Sequence, residues 1–547
     1  MAVLAAPVSA VLAAYLIDVA GLAFSPTLML AVVVLACSAS AALLLRDAAQ
    51  TRTDGPLLGL AVGATLAWLL WLARPALLPL GTGPDLAHHL ILIRFIEEHW
   101  RLAHDPALER FLGEMAQYTP GSHILVALAG AWSGTDGLRA LHPVQALSVA
   151  LKAGFLLLIG MRLLPARAPR PLALAGVVLL LAAPRYALGA FTEYGFVAQV
   201  VAELFVVAMW WAAVAWDARP DWRVSVAFGL AGAAAFLTWP VYTGPPALAF
   251  VLVIALRTNT PIPVRARHLA VAFVPMGGFA LAYLAGRLGW LRLAGTGGSA
   301  PWPSIADYSW SLVALAAAGL ATAVVRRKGR STALFTGTVL MQAAVFYALA
   351  RRNGAPQPYM ALKMFYLLLW PMAACAVMAI AELWTAAAAW AERRSADGAL
   401  RSAHARSAWL LLAATLVVVA RPLVARPRRL HPLPPAVTLP LYQAGLWARA
   451  NLPPGCVEYL VGDDETAYWL HLAVLGNPRM SDRTGDNSTY EPNDAVIRWL
   501  TPNGLPYGIA DLSALSRDVR DELDIVQPFG TAAVVRRRGP SACPDVR

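Results

Sequence analysis

Residues 84–123 read PDLAHHLILIRFIEEHWRLAHDPALERFLGEMAQYTPGSH. This is the one polar insert in an otherwise apolar N-terminal half, and its reading decides how the chain is arranged. Pro84 suits the first turn of a helix, which the pattern carries to Arg101. A step of about 100° per residue puts Asp85, His88, His89, Leu92, Ile96 and His99 on one stripe. Arg94, Glu97, Glu98 and Arg101 fall on the other. The first stripe is expected to press on a membrane or a protein core, the second to face water. An acid and two imidazoles then open the face expected to be buried, a costly place unless they have partners or work to do.

Outward from the insert, the chain is apolar. Of 547 residues 59% are hydrophobic and 14% charged, against roughly 25% charged in soluble domains. Runs long enough to cross a bilayer recur from Val3 to Val424. The first, Val3–Phe24, lacks a basic leader and reads as a retained span, not a cleaved signal. About thirteen spans are expected: 3–24, 26–45, 57–80, 138–163, 171–189, 195–216, 223–240, 244–256, 268–288, 307–325, 331–350, 358–385 and 407–424. The stretch 231–256, interrupted at Trp239-Pro240 and Pro245-Pro246, also reads as one kinked or re-entrant element.

The formal charge of +12 does not point to nucleic acid, because the basic residues sit in alternate short connections. Those connections are assigned to the cytoplasm, as is the N-terminus. The insert at 81–137 and the whole tail then face outward across an inner membrane. Arg351 and Arg352 break the charge rule on the outer side, which suggests an anionic ligand there. The expected domains are a membrane part, 1–424, and an extracytoplasmic α/β domain, 425–547. In that tail a helix is expected at Leu439–Asn451 and another at Asn493–Trp499, with strands near Val457–Val461, Tyr507–Ala510 and Ala532–Arg536. Cys456 and Cys543 both lie in the tail and are free to pair if it is extracytoplasmic.

Three groups of residues carry candidate chemistry. Asp85-x-x-His88-His89 supplies an acid suited to be a general base toward a sugar hydroxyl, with imidazoles to orient it, bind phosphate or ligate metal. The bland alternative is an acid favoured by the helix dipole. Tyr118-Thr-Pro-Gly-Ser-His123 marks a turn back toward the membrane, with Tyr118 and His123 as candidate substrate contacts. Gln357-Pro-Tyr359-Met-Ala-Leu-Lys363 places a lysine inside an apolar run, where it must face a cavity or a partner, or snorkel to the headgroups. Lys363 with Arg351 or Arg352 suits a phosphate. Glu193 and Tyr359 complete the candidate substrate contacts. Lys152 and Glu203 are expected to pair with each other, and Trp239, Tyr242, Trp290, Trp302 and Trp310 to belong mostly to aromatic belts. Nucleotide-binding loops and hydrolase signatures are absent from the sequence.

An acid on an early outward loop, a Tyr-x-Pro-Gly-x-His return and a Tyr-x-x-x-Lys opening a late span coincide with many spans and an outward α/β tail. Together these features resemble the C superfamily of integral-membrane glycosyltransferases, in its arabinofuranosyltransferase-like branch. The resemblance implies a polytopic α-helical fold and a sugar taken from a polyprenyl-phosphate donor. It implies a glycan, lipid or protein of the cell envelope as acceptor. Asp85 matches the position of the family's base. Here the acid follows the third span, not the first, and two histidines stand where relatives carry a second acid, so a divalent cation is left open and no cofactor is assigned. The reading is an inverting transferase. Its rivals are a lipid-linked glycan flippase or permease, in which the charges line a path, and a non-catalytic assembly protein with the tail as its binding module.

Overall fold

A computed structural model describes residues 2–45, 54–81, 84–105, 108, 112–285, 287, 300–394, 432–477, 492–501, 504–539, 541 and 543. Helices α1 (Ala5–Val19), α2 (Pro26–Leu45) and α3 (Gly55–Leu72) precede the insert, which holds α4 (Pro84–His99) and α5 (Gly121–Ser133). Then follow α6 (Gly137–Leu163), α7 (Val197–Ala218), α8 (Trp222–Thr238), α9 (Gly244–Ala255), α10 (Ile262–Leu284), α11 (Trp310–Val325), α12 (Arg330–Arg352) and α13 (Tyr359–Arg394). Among the described residues six helices are long and apolar enough to cross a membrane by length and composition, and six more apolar helices are shorter. Each overlaps one of the expected spans from 3–24 to 358–385. The expected span 407–424, the domain boundary at 424/425 and Trp290 lie outside the described residues.

Helices α6, α7 and α13 are buried along most of their length and form the middle of the bundle. By contrast α2, α10 and α11 expose Leu35, Val274, Leu281, Val324 and Val325. Their backbone is satisfied within the helix, so such a surface belongs in hydrocarbon, where exposed apolar side chains cost nothing.

One expected span is revised. The stretch 171–189 is not one helix: it breaks into Leu174–Leu179, Leu180–Ala182, Pro184–Ala187 and Gly189–Thr192. Pro184 lacks an amide hydrogen and forces Ala183 out of helical geometry, to φ −119° and ψ 58°. The expected spans 223–240 and 244–256 stay separate, and the single-element alternative over 231–256 fails: the chain breaks at Trp239, and α8 and α9 are joined by a turn at Pro240–Tyr242.

The insert helix is also revised. It stops at His99, and Trp100 takes a left-handed φ of 48°. His88, His89, Leu92 and Ile96 are buried as expected, but so are Leu86, Ala87, Leu90, Ile91 and Ile93. Asp85 and His99 are exposed, against expectation. The helix is enclosed on nearly all sides because the C-terminal domain covers the face that a bare amphipathic helix would turn to water.

That domain begins with a short segment docked on the membrane part: the Leu433 and Ala436 amides donate to the carbonyls of Leu72 and Pro79. Helix α14 runs Leu439–Asn451 as expected. Strands β1 (Val457–Leu460), β2 (Tyr507–Asp511), β3 (Leu523–Phe529) and β4 (Ala532–Arg537) form one sheet in the order β1-β2-β4-β3. β1 and β2 run parallel; the other pairs are antiparallel. β3 was not expected. It is an edge strand with Pro528 in it and an exposed face, so it lacks the apolar alternation of its neighbours. Helix α15 (Asp464–Trp469) continues into a π-helical turn, Leu470–Val474, which packs beside α4, and α16 (Pro492–Leu500) completes the expected second helix. Cys456 and Cys543 form a disulfide.

Candidate functional site

The site is built around the start of α4. Gly81 and Gly195 both have positive φ, +105° and +63°. A Cβ on Gly81 would lie 3.2 Å from the Phe191 carbonyl oxygen, and one on Gly195 would lie 2.8 Å from Leu86 Cβ. Two glycines therefore let the 191–196 segment lie against the first turn of α4. Asp85 sits on that turn, where the helix dipole favours a carboxylate. It is exposed, and its charge acts on two groups of α13, Tyr359 and Lys363.

Lys363 is only 2% exposed. Its Nζ lies over the Phe196 ring and 4.8 Å from the centroid of Tyr359, one turn earlier on α13. Tyr242 donates a 2.6 Å hydrogen bond to the Lys363 carbonyl, fixing the backbone beneath it. Among the described residues no carboxylate forms an ion pair with this ammonium; Asp85 and Glu203 act on it from farther away. Ring faces favour a cation without supplying a counter-charge, so that counter-charge is left for an anionic ligand to bring. Glu203 is itself occupied. It takes a 2.6 Å bond from Lys152 and a 3.3 Å bond from Gln199, the pairing that the sequence suggests.

The histidines point elsewhere. His88 Nε2 lies 2.6 Å from the hydroxyl of Tyr468 in the C-terminal domain. His89 Nδ1 lies 2.9 Å from His123 Nε2. Burial pushes His123 down to about 3, so at neutral pH its ring is uncharged. Tyr118 meets both rings edge-on, at 5.2 and 5.7 Å between centroids, and stacks on Trp239. The turn at 118–123 is held against the end of α8, where Thr119 donates to the Thr238 carbonyl at 2.8 Å. A Cβ on Gly121 would come within 2.3 Å of Thr238 Oγ1, so that position needs glycine for the close approach. Trp239 and Tyr242 are thus buried parts of the site's frame and not belt residues; Trp302 and Trp310 are exposed. Among the described residues no group of three or more His, Cys, Asp or Glu is placed to hold a metal ion.

Of the remaining candidates, Glu193 is half-buried and its charge reaches Tyr366, while Tyr359 is half-buried beside Lys363. Arg351 and Arg352 are exposed on the last turn of α12, and no described side chain pairs with them. A different arginine lies near the site. Arg185, in the broken stretch, bonds both carboxylate oxygens of Asp307 at 3.1 Å and the Tyr194 hydroxyl at 3.3 Å. Tyr194 stacks on Phe196, the ring beneath Lys363. The signal was in the sequence: Pro184-Arg185 interrupts an apolar run, where an arginine is costly without a polar partner. Tyr468 had no such signal, since only the docking of the C-terminal domain brings it to α4.

No family model and no curated protein sequence matches the chain. Among solved structures, the arabinofuranosyltransferase AftD from mycobacteria is 14% identical, over 88% of this chain and 40% of that one, with a TM-score of 0.50. This chain thus spans less than half the length of AftD. ArnT from Cupriavidus metallidurans, solved with undecaprenyl phosphate, is 16% identical over 88% and 98%, with a TM-score of 0.49. The Archaeoglobus fulgidus oligosaccharyltransferase is 13% identical over 85% and 70%, also at 0.49. The chain therefore shares its fold with the arabinofuranosyltransferase AftD.

Proposed function

We propose that the protein is an inverting glycosyltransferase that moves a sugar from a polyprenyl-phosphate donor to a glycan, lipid or protein acceptor at the outer membrane face. One observation carries the reading. The charge of an exposed carboxylate, Asp85, reaches a buried lysine, Lys363, although the two come from distant parts of the sequence. Exposure gives an acceptor access to the acid, and burial gives the cation strength against an anion. The fold is one that hosts a sugar transferase in AftD. The Cys456–Cys543 disulfide favours an oxidising compartment for the C-terminal domain, in keeping with basic connections on the cytoplasmic side.

The chemistry is a single displacement. Asp85 accepts the proton of the acceptor hydroxyl as that oxygen bonds to the anomeric carbon. The bond from that carbon to the phosphate oxygen breaks, and its electron pair leaves with the polyprenyl phosphate. Lys363 holds the phosphate and offsets the charge that develops on it. A phosphate leaves without being protonated, so one base and one cation suffice and the anomeric configuration inverts.

The test is transfer by purified protein reconstituted in lipid. Asp85→Asn should lower it by about 10²–10⁴-fold with the fold intact, and Lys363→Ala should weaken donor binding more than acceptor binding. Transfer that survives Asp85→Asn sinks the proposed base; equal losses for donor and acceptor sink the phosphate clamp.

A further inference from the structure

Next to Lys363 lie two buried tyrosine hydroxyls with unused hydrogen-bonding capacity among the described residues. Tyr186 and Tyr366 are 4% and 1% exposed; among the described residues the Tyr366 hydroxyl has no hydrogen-bond partner, and the Tyr186 hydroxyl has none of good geometry, its one polar neighbour being the Tyr308 hydroxyl. A buried hydroxyl without a well-placed partner carries a desolvation cost that folding does not recover. Two of them in one place point to a ligand that supplies the missing bonds. They belong to one aromatic cluster. Tyr186 stacks on Tyr308 at 4.2 Å and 7°, and Tyr366 meets Tyr186 edge-on at 4.9 Å. Tyr308 is different, because its hydroxyl is spent on the Phe365 carbonyl at 2.6 Å. Its role is to hold the Tyr186 ring in place.

The rim of the cluster is polar and reachable. Arg185 and Asp307 have side chains 33% and 18% exposed. Both carboxylate oxygens of Asp307 and the Tyr194 hydroxyl already engage the guanidinium. A phosphate at Arg185 would have to compete with Asp307, whereas a neutral hydroxyl can bond to both members of the pair. The site is therefore matched to a polyol and not to an anion. Its location selects which polyol. Tyr366 is three residues after Lys363 on α13, hence on the same face, and both contact the Phe196 ring.

We infer that this cluster is the subsite for the sugar carried by the donor lipid. The hydroxyls of Tyr186 and Tyr366 bond sugar hydroxyls from below, and the Arg185–Asp307 pair bonds them at the rim. This rests on the proposed use of Lys363 for the donor phosphate.

The experiment uses the full chain in lipid nanodiscs, with Tyr366→Phe and Tyr186→Phe as variants. The probes are sugar-free undecaprenyl phosphate, an undecaprenyl-phosphoryl pentose and an undecaprenyl-phosphoryl hexose. Each variant should keep wild-type affinity for the sugar-free lipid and keep or gain thermal stability, because it removes an unsatisfied group. For whichever sugar-loaded lipid the wild type prefers, affinity should fall about 10- to 100-fold. Equal loss for loaded and sugar-free lipid, or no loss for either, overturns the subsite, as does a wild type that binds loaded lipid no better than the sugar-free one. Those outcomes leave the phosphate role of Lys363 standing. A wild type that binds none of the three lipids overturns the donor reading itself, and the subsite falls with it.

Discussion

His88 Nε2 and the Tyr468 hydroxyl lie 2.6 Å apart, joining the helix that carries Asp85 to the C-terminal domain. His88 is one turn beyond Asp85, so whatever fixes its ring also fixes the turn bearing the acid. Tyr468→Phe removes this bond and keeps the ring. It should lower kcat about 5- to 10-fold, the value of one ordinary hydrogen bond, and leave donor affinity unchanged. Steady-state transfer rates together with donor titration decide it. An unchanged kcat would show that the domain is docked without reference to the acid.

The buried pair of Lys152 and Glu203 gives a second prediction. The two side chains are 2% and 5% exposed, and Lys152 also lies 4.8 Å from the Trp370 ring. Removing one partner strands the other charge. Lys152→Met or Glu203→Gln alone should therefore cost about 3–5 kcal/mol, while Lys152→Met with Glu203→Leu should recover most of the loss. Thermal unfolding in detergent is the measurement. If the double variant is no better than the singles, the two charges do not depend chiefly on each other.

Much of this was legible in the sequence, and the divide has physical causes. The apolar runs, α14 and the Lys152–Glu203 pairing follow from local pattern or from the cost of a charge in hydrocarbon, and both can be read without tertiary structure. The exposure of Asp85 could not be read, because helix periodicity gives a face but not which neighbour covers it. The aromatic floor under Lys363 joins α13 to a ring just ahead of α7, and no spacing encodes that contact. Arg185 is hidden in the sequence because its apolar surroundings read as one continuous span, although Pro184 beside it argues for a break.

Glu97 gives the prediction that depends on pH. It sits in the insert where the C-terminal domain docks. Burial pushes its carboxyl up from the ordinary 4.5 to about 7, and the charge of Asp136 adds to the rise. The groups around it are known. Arg94 and Glu98 share α4 with it, the Gly137 amide bonds to it, and Asp136 takes a 2.6 Å bond from Tyr442 of α14. Arg449, also on α14, holds Glu98 at 2.8 Å. A carboxyl with a raised folded-state pKa binds its proton more tightly when folded. Its stabilisation is complete below about pH 4.5 and is lost as pH rises through about 7. Glu97→Gln mimics the protonated form and keeps an oxygen for the Gly137 amide. It should leave stability unchanged near pH 5 and raise it by about 1 kcal/mol at pH 8, allowing for solvent screening. Hydrogen exchange across α4 and α14 should slow at pH 8 in the variant, because the junction between them no longer holds two adjacent carboxylates. A variant that is less stable than wild type at pH 8 would mean that the ionised Glu97 has a cationic partner, and the junction would then tighten as pH rises.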